Sequence, residues 1–269
     1  MKTGTDILET NGARIAYDVE GSGEPVVLIH AGVANRRMWD DQVAGLRHRY
    51  RVIRHDCRGY GETETEKVPF SNRADIAALL DHLGERSAHV VGLSRGGVIG
   101  LDFALERPER VRSLVFAAGG ISGYESPAWN PKDFEEPEQA EQGKDWEALA
   151  DWETRHWVDG PGQPPDRVPA ALRARVHDWI LSNYRAEKEA GEPQPLKPPA
   201  AGRLSELNVS LLVIVGTLDD AETVDSCRHL AASVPGAKLE TFEGAAHMLN
   251  LEQPERFTRL VRDFFASAR

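Results

Sequence analysis

His89-Val90-Val91-Gly92-Leu93-Ser94-Arg95-Gly96-Gly97-Val98-Ile99 is the stretch whose reading decides the fold. An apolar run ends in Gly-x-Ser-x-Gly, and helical spacing follows from Val98 to Leu105. At a strand-to-helix junction this pattern makes a sharp turn that strains the serine and lifts its Oγ above the sheet. The flanking positions call for glycine, because a Cβ there would collide with the neighbouring strand and helix. Glycine and serine are common, so the pattern alone is weak. The strand before it and the helix after it give it meaning.

Working outward, Arg14 to Val19 alternates like a half-exposed strand, and Gly21-Ser22-Gly23-Glu24-Pro25 is a turn cluster. Val26-Val27-Leu28-Ile29 is a short apolar run of the kind buried on both faces of a parallel sheet. Arg51 to Arg54 reads as the next strand, and it ends in the turn Asp56-Cys57-Arg58-Gly59-Tyr60-Gly61. Asn72 to Leu83 has helical spacing, with Ile76, Leu79, Leu80 and Leu83 on one face. Leu114-Val115-Phe116, Leu211 to Val215 and Lys238 to Phe242 are further strands, and Leu251 to Phe265 is a closing helix. Such alternation predicts an α/β fold: a mostly parallel, twisted sheet with helices on both faces.

One segment breaks the alternation. Residues 122–203 hold no convincing buried strand, are rich in acidic residues and proline, and contain five of the six tryptophans. The exit, Glu192 to Pro199, reads as a stiff linker. The expectation is a helical cap over a core made of residues 1–121 and 204–269. A long disordered loop is the alternative, against which the aromatics argue.

A serine hydroxyl needs a general base to act as a nucleophile near neutral pH. His247, in Gly244-Ala245-Ala246-His247-Met248 after the last strand, is placed to serve. A carboxylate must then orient the imidazole. Asp219 and its neighbour Asp220 follow the Leu211–Val215 strand by a short turn, whereas Ala117-Ala118-Gly119-Gly120, one strand earlier, offers no carboxylate. An oxyanion needs preorganised N–H donors. The backbone amide of Arg95 is one candidate, and that of Gly32 or Val33, after the Val26–Ile29 strand, is the other.

The formal net charge of −11 argues against nucleic acid and anionic lipid as partners. No apolar run approaches the roughly 20 residues of a membrane helix. Two cysteines, Cys57 and Cys227, imply no disulfide framework, and no signal-peptide pattern opens the chain. A cytoplasmic enzyme for a small molecule is expected, and the sequence leaves a homodimer open. No metal-ligand or dinucleotide motif is present, so no metal or cofactor is expected. The acidic run Asp133 to Glu141 reads as a solvated face.

Taken together, His30-Ala31-Gly32 with Trp39, Asp56 to Gly61, Gly92 to Gly97, Gly216-Thr217-Leu218-Asp219 and Gly244 to His247 resemble the α/β-hydrolase superfamily. The resemblance spans nearly the whole chain except the insertion, which is similar to that family's variable cap. It implies a Ser94, Asp219, His247 triad, with the family's spacing selecting Asp219. The texture is similar to enol-lactone hydrolases and small carboxylesterases. That implies cleavage of a small, fairly apolar ester or lactone through an acyl-enzyme on Ser94. C–C bond hydrolysis, perhydrolysis or a cofactor-free lyase or cyclase step are alternatives on the same fold, and a receptor without turnover is one of another class.

Val33, Trp129, Trp152, Trp157 and Met248 are the candidate substrate contacts. Two departures from the family pattern stand out. His30-Ala31-Gly32 replaces the usual His-Gly, and Arg95 replaces the usual Met, Leu or Gln. Arg95 is expected to pair with a carboxylate of the protein such as Asp56. Attraction of an anionic substrate is the alternative.

Overall fold

The computed structural model describes residues 4–186, 188 and 190–268. Among the described residues, nine strands form one sheet: β1 (Asp6–Thr10), β2 (Ala13–Glu20), β3 (Glu24–Ile29), β4 (Tyr50–His55), β5 (Glu64–Thr65), β6 (Ala88–Leu93), β7 (Val111–Ala117), β8 (Ser210–Gly216) and β9 (Lys238–Phe242). Their order is β1-β2-β4-β3-β6-β7-β8-β9, with β5 paired to β2. From β4 to β9 all neighbours are parallel, while β1 and β2 close one edge antiparallel.

The apolar run of β3 is buried throughout and serves both faces. Val27 points into a cluster with Ile53, Val90, Leu114 and Val213, covered by α2 (Asn72–His82), α3 (Arg95–Glu106) and α7 (Ala221–Ser233). Val26 and Leu28 point into another with Val52, Val91 and Leu212, covered by α1 (Asp40–Leu46) and α9 (Pro254–Ser267). This is the period-two alternation of a strand buried on both sides.

The chain leaves β3 toward β4 on one side, and leaves β6 toward β7 on the other. Connections therefore diverge at the carboxyl ends of β3 and β6. Open α/β sheets bind ligands in the crevice at such a switch point.

Between β7 and β8 lie α4 (Glu135–Gln142), α5 (Trp146–Glu153), a π-helical turn (Thr154–Asp159) and α6 (Ala170–Arg185), and the described residues of this segment add no strand to the sheet. Its proline-rich exit is pinned to the core. Phe70 N donates to Glu192 O at 3.1 Å, and Gln194 N donates to Phe70 O at 2.7 Å. The closing helix departs from the expected single element. It splits into α8 (Leu249–Glu252) and α9, because Pro254 cannot donate within a helix interior and instead starts a new one. The helix after Ser94 begins at Arg95, three residues earlier than the apolar spacing indicates.

Candidate active site

Ser94 sits at the junction of β6 and α3 with φ 57° and ψ −121°, a conformation costly for a residue with a side chain. The neighbours make it possible. A Cβ on Gly92 would run into the carbonyl of Gly96, and one on Gly96 would run into the carbonyl of Ile29 in β3. Only glycine at both positions lets the strand, the turn and the helix approach so closely. Ser94 N donates to Ala117 O at 2.8 Å, which ties the turn to β7.

His247 follows β9, buried, with Nδ1 2.9 and 3.1 Å from the two carboxylate oxygens of Asp219. With Nδ1–H donating to the carboxylate, Nε2 is left as the basic nitrogen. Asp219 also accepts from Asp220 N at 2.8 Å. Asp220 is engaged elsewhere. Its carboxylate caps α7 through Glu222 N at 2.9 Å and lies 3.3 Å from His156 Nε2. The loop carrying His247 is braced from the insertion. Ala246 N donates to Glu252 Oε1 at 2.8 Å, and Arg167 reaches both Glu252 Oε2 at 2.5 Å and Gly244 O at 2.8 Å. Ser94 Oγ makes no hydrogen bond to His247 in this structure. Such bonds are commonly long in unliganded sites and tighten with substrate.

The loop after β3 is held by His30. Its Nδ1–H donates to Ala31 O at 2.7 Å, and its Nε2 accepts from Cys57 N at 3.0 Å. Among the described residues, the amides of Gly32 and Val33 donate to no backbone carbonyl, and neither does that of Arg95 at the start of α3. Three candidate donors thus remain uncommitted, with the α3 dipole adding positive potential at one of them.

The expected Arg95–Asp56 pair does not form. Asp56 is taken by the side chain of Arg36, by Arg36 N at 2.7 Å and by Glu62 N at 2.8 Å. Arg36 also holds Asp18 and Glu62. Arg95 instead lays its guanidinium over the Tyr60 ring, 4.7 Å from the centroid.

A cavity of about 710 Å³ opens beside Gly32 and Arg95, under the insertion. Its walls include Tyr60 of the turn after β4, Glu153 of α5, and Ile180 and Tyr184 of α6. Burial raises the Glu153 carboxyl to about 7, against the lowering effect of the Tyr184 hydroxyl that donates to it at 2.7 Å.

Four of the expected substrate contacts lie elsewhere. Trp129 is 47 % exposed and stacks on Phe134, so it faces outward. Trp152 is buried against His156, and Val33 and Met248 are core residues of the sheet's second face. Trp157 alone comes to the chemistry, with its ring 4.4 Å from that of His247. The cavity's tryptophan is Trp146, stacked on Tyr184. Glu153 and Tyr184 escaped the sequence reading, because nothing in a helix's own pattern says which residues meet across α5 and α6.

The model of the Alpha/beta hydrolase family matches residues 26–260. The chain is 28% identical to 3-oxoadipate enol-lactonase 2 of Acinetobacter baylyi, over 95% of this chain and 94% of that one. It is 32% identical to the 2-hydroxy-6-oxononadienedioate/2-hydroxy-6-oxononatrienedioate hydrolase of Burkholderia vietnamiensis, over 93% and 90%. The crystal structure of the enol-lactonase from Burkholderia xenovorans LB400 superposes with a TM-score of 0.79 at 28% identity, over 97% and 100%.

Proposed function

The chain belongs to the Alpha/beta hydrolase family, and on that premise we propose that it hydrolyses a small carboxylic ester or lactone through an acyl-enzyme on Ser94. One observation carries the reading: a strained serine and an aspartate-bound histidine stand on loops at the same end of one parallel sheet. In this mechanism His247 Nε2 takes the Ser94 proton as Oγ attacks the carbonyl. The tetrahedral oxyanion is held by the Arg95 amide and that of Gly32 or Val33. His247 then protonates the leaving alkoxide, and a water deprotonated by His247 releases the acid. Asp219 orients the imidazole and stabilises the imidazolium; it stays ionised throughout.

Residues 122–203 act as the cap that closes the cavity over these loops. No helix among the described residues is long and apolar enough to cross a membrane. Two buried free cysteines fit a cytoplasmic setting, which is part of the proposal.

The test pairs a small activated ester with a serine-reactive phosphonate, read by intact mass and peptide mapping. Burst hydrolysis with the adduct on Ser94 is expected. An intact protein without turnover or adduct would sink the assignment. Turnover of a vinylogous diketone but of no ester would move the reading to C–C hydrolysis, and the Burkholderia vietnamiensis relative is named as a hydrolase of 2-hydroxy-6-oxononadienedioate.

A further inference from the structure

Arg95 occupies the first turn of α3, where the helix dipole disfavours a cation. Its Nη1 is buried and has no hydrogen-bond acceptor, and no carboxylate of the described residues lies within ion-pair distance of it. A buried guanidinium with no carboxylate beside it is an expensive arrangement, which the neighbouring Cys57 sulfur offsets in part through its charge and a hydrogen bond.

Two further cations of the cavity, which Lys67 and Lys144 also line, are differently placed. Arg58 is held by both oxygens of Asp75 at 2.8 Å, and Lys188 donates to the carbonyls of Gly61 and Thr63. Arg95 is left facing the cavity, with its stem beside Gly32 and its head over Tyr60. Tyr60 supplies a flat support that fixes the fork without consuming its donors. Behind it lies the buried Cys57. Burial alone would raise that thiol, but His30, Arg95 and His55 more than offset this and hold it well below the ordinary thiol range. Cys57 is not part of the cavity wall, so its sulfur does not occupy the side of the guanidinium that a ligand would meet.

We infer that Arg95 is a specificity-determining residue: its side chain selects an ester or lactone that carries a carboxylate a short spacer away from the bond to be cleaved. The inference rests on the ester-hydrolase reading for the identity of that bond. The carboxylate accepts from the uncommitted Nη1 while the backbone amide of the same residue faces the scissile carbonyl. One residue then contributes its amide to the chemistry and its side chain to selection. The spacer is short because Arg95 directly follows Ser94 in the chain. The rival account, in which Arg95 serves Cys57 alone, demands no preference for an anion.

The test compares two amides far less reactive than the matching esters, the p-nitroanilide of the succinic half-acid and the p-nitroanilide of butyric acid. They differ by one carboxylate. Binding is read by quenching of tryptophan fluorescence, since Trp146 lines the cavity. The wild-type protein should bind the anionic amide about tenfold or more tightly than the neutral one, as a charged hydrogen bond implies. Arg95→Met should bring the two within about twofold, and Arg95→Lys should keep part of the preference, because it keeps the charge but not the fork. Equal affinities in the wild type, or an intact preference in Arg95→Met, would overturn the inference. Should Arg95→Met not fold, the wild-type preference and the Lys variant decide it. Turnover of the matching p-nitrophenyl esters is measured separately. Its absence beside an intact binding preference would strike the hydrolase reading and leave the role of Arg95 standing.

Discussion

The loops at the carboxyl ends of the strands and the segment that covers them are built by different means. Ser94, Asp219 and His247 stand on turns fixed by backbone: glycines that admit close approach, and amide-to-carbonyl bonds between neighbouring strands. Apart from its exit, which is bonded through backbone to Phe70, the covering segment is tied to the core by side chains reaching across an interface. Asn183 donates to Ala34 O at 3.1 Å, Lys188 donates to Thr63 O at 3.0 Å, and Arg167 donates to Gly244 O at 2.8 Å. Backbone geometry is specified locally and tolerates little change. Side-chain ties can be exchanged one at a time. On the proposed reading the chemistry rests on the loops, while selection is shared between Arg95 of the elbow and the cavity walls of the cover, which can diverge without disturbing the loops.

The sharpest way to break that division is to attack the loops. Ser94→Ala should lower kcat about 10⁶-fold with an unchanged urea unfolding curve, because the site is lost and the fold is not. A loss under tenfold would end the nucleophile assignment. Asp219→Asn should cost about 10⁴-fold in kcat by favouring the wrong imidazole tautomer.

Next comes the buried cation beneath the loops. Arg36 is 2 % exposed and serves Asp18, Asp56 and Glu62 together. Arg36→Met removes the cation paired with the buried Asp56, which keeps only backbone amides, whereas Asp18 keeps Arg54 and Arg37, and should cost about 3 kcal/mol of stability by chemical denaturation. A cost under about 1 kcal/mol would mean that the network is dispensable.

The cover is probed through pH. Glu153 faces Tyr184 of α6 and Tyr60 of the core, with Glu141 of α4 adding negative potential. Its folded value of about 7 lies above the ordinary 4.5, so between those pH values the native state keeps a proton that the unfolded chain has lost. Stability should therefore fall as pH rises through that window, by about 3 kcal/mol in all. Glu153→Gln should flatten the slope and stabilise the protein at pH 8 more than at pH 4. An unchanged slope would show that Glu153 is not the titrating group. Ionised Glu153 should also weaken binding of an anionic ligand above pH 7, since it shares the cavity with Arg95.

The smallest expected effect separates two neighbours. Asp220→Ala removes the cap of α7 and should cost about 1 kcal/mol of stability while kcat changes less than about threefold. A large loss of kcat would return the triad acid to dispute.

The elbow at Ser94 was legible because its geometry is compelled within six residues, and the burial of β3 was legible because a continuous apolar run has few other homes. The edge strands β1 and β5 were less so. Their residues are largely exposed and pair only because β2 offers a free edge. The split between α8 and α9 was written in Pro254 and was missed by reading apolar spacing alone.

The sequence by itself thus determined the sheet, its strand–helix rhythm and the Ser94 and His247 positions on which the chemistry is proposed to rest, with the family resemblance pointing to Asp219 over Asp220. These depend on backbone conformations that only certain residues adopt. Tertiary structure decided that Asp220 caps α7 while Asp219 meets His247, that Asp56 belongs to Arg36, and that Glu153 and Tyr184 rather than Trp129 wall the cavity. Each of those outcomes is a competition among side chains far apart in the chain. It is settled by which partner arrives at bonding distance, and no local pattern encodes that.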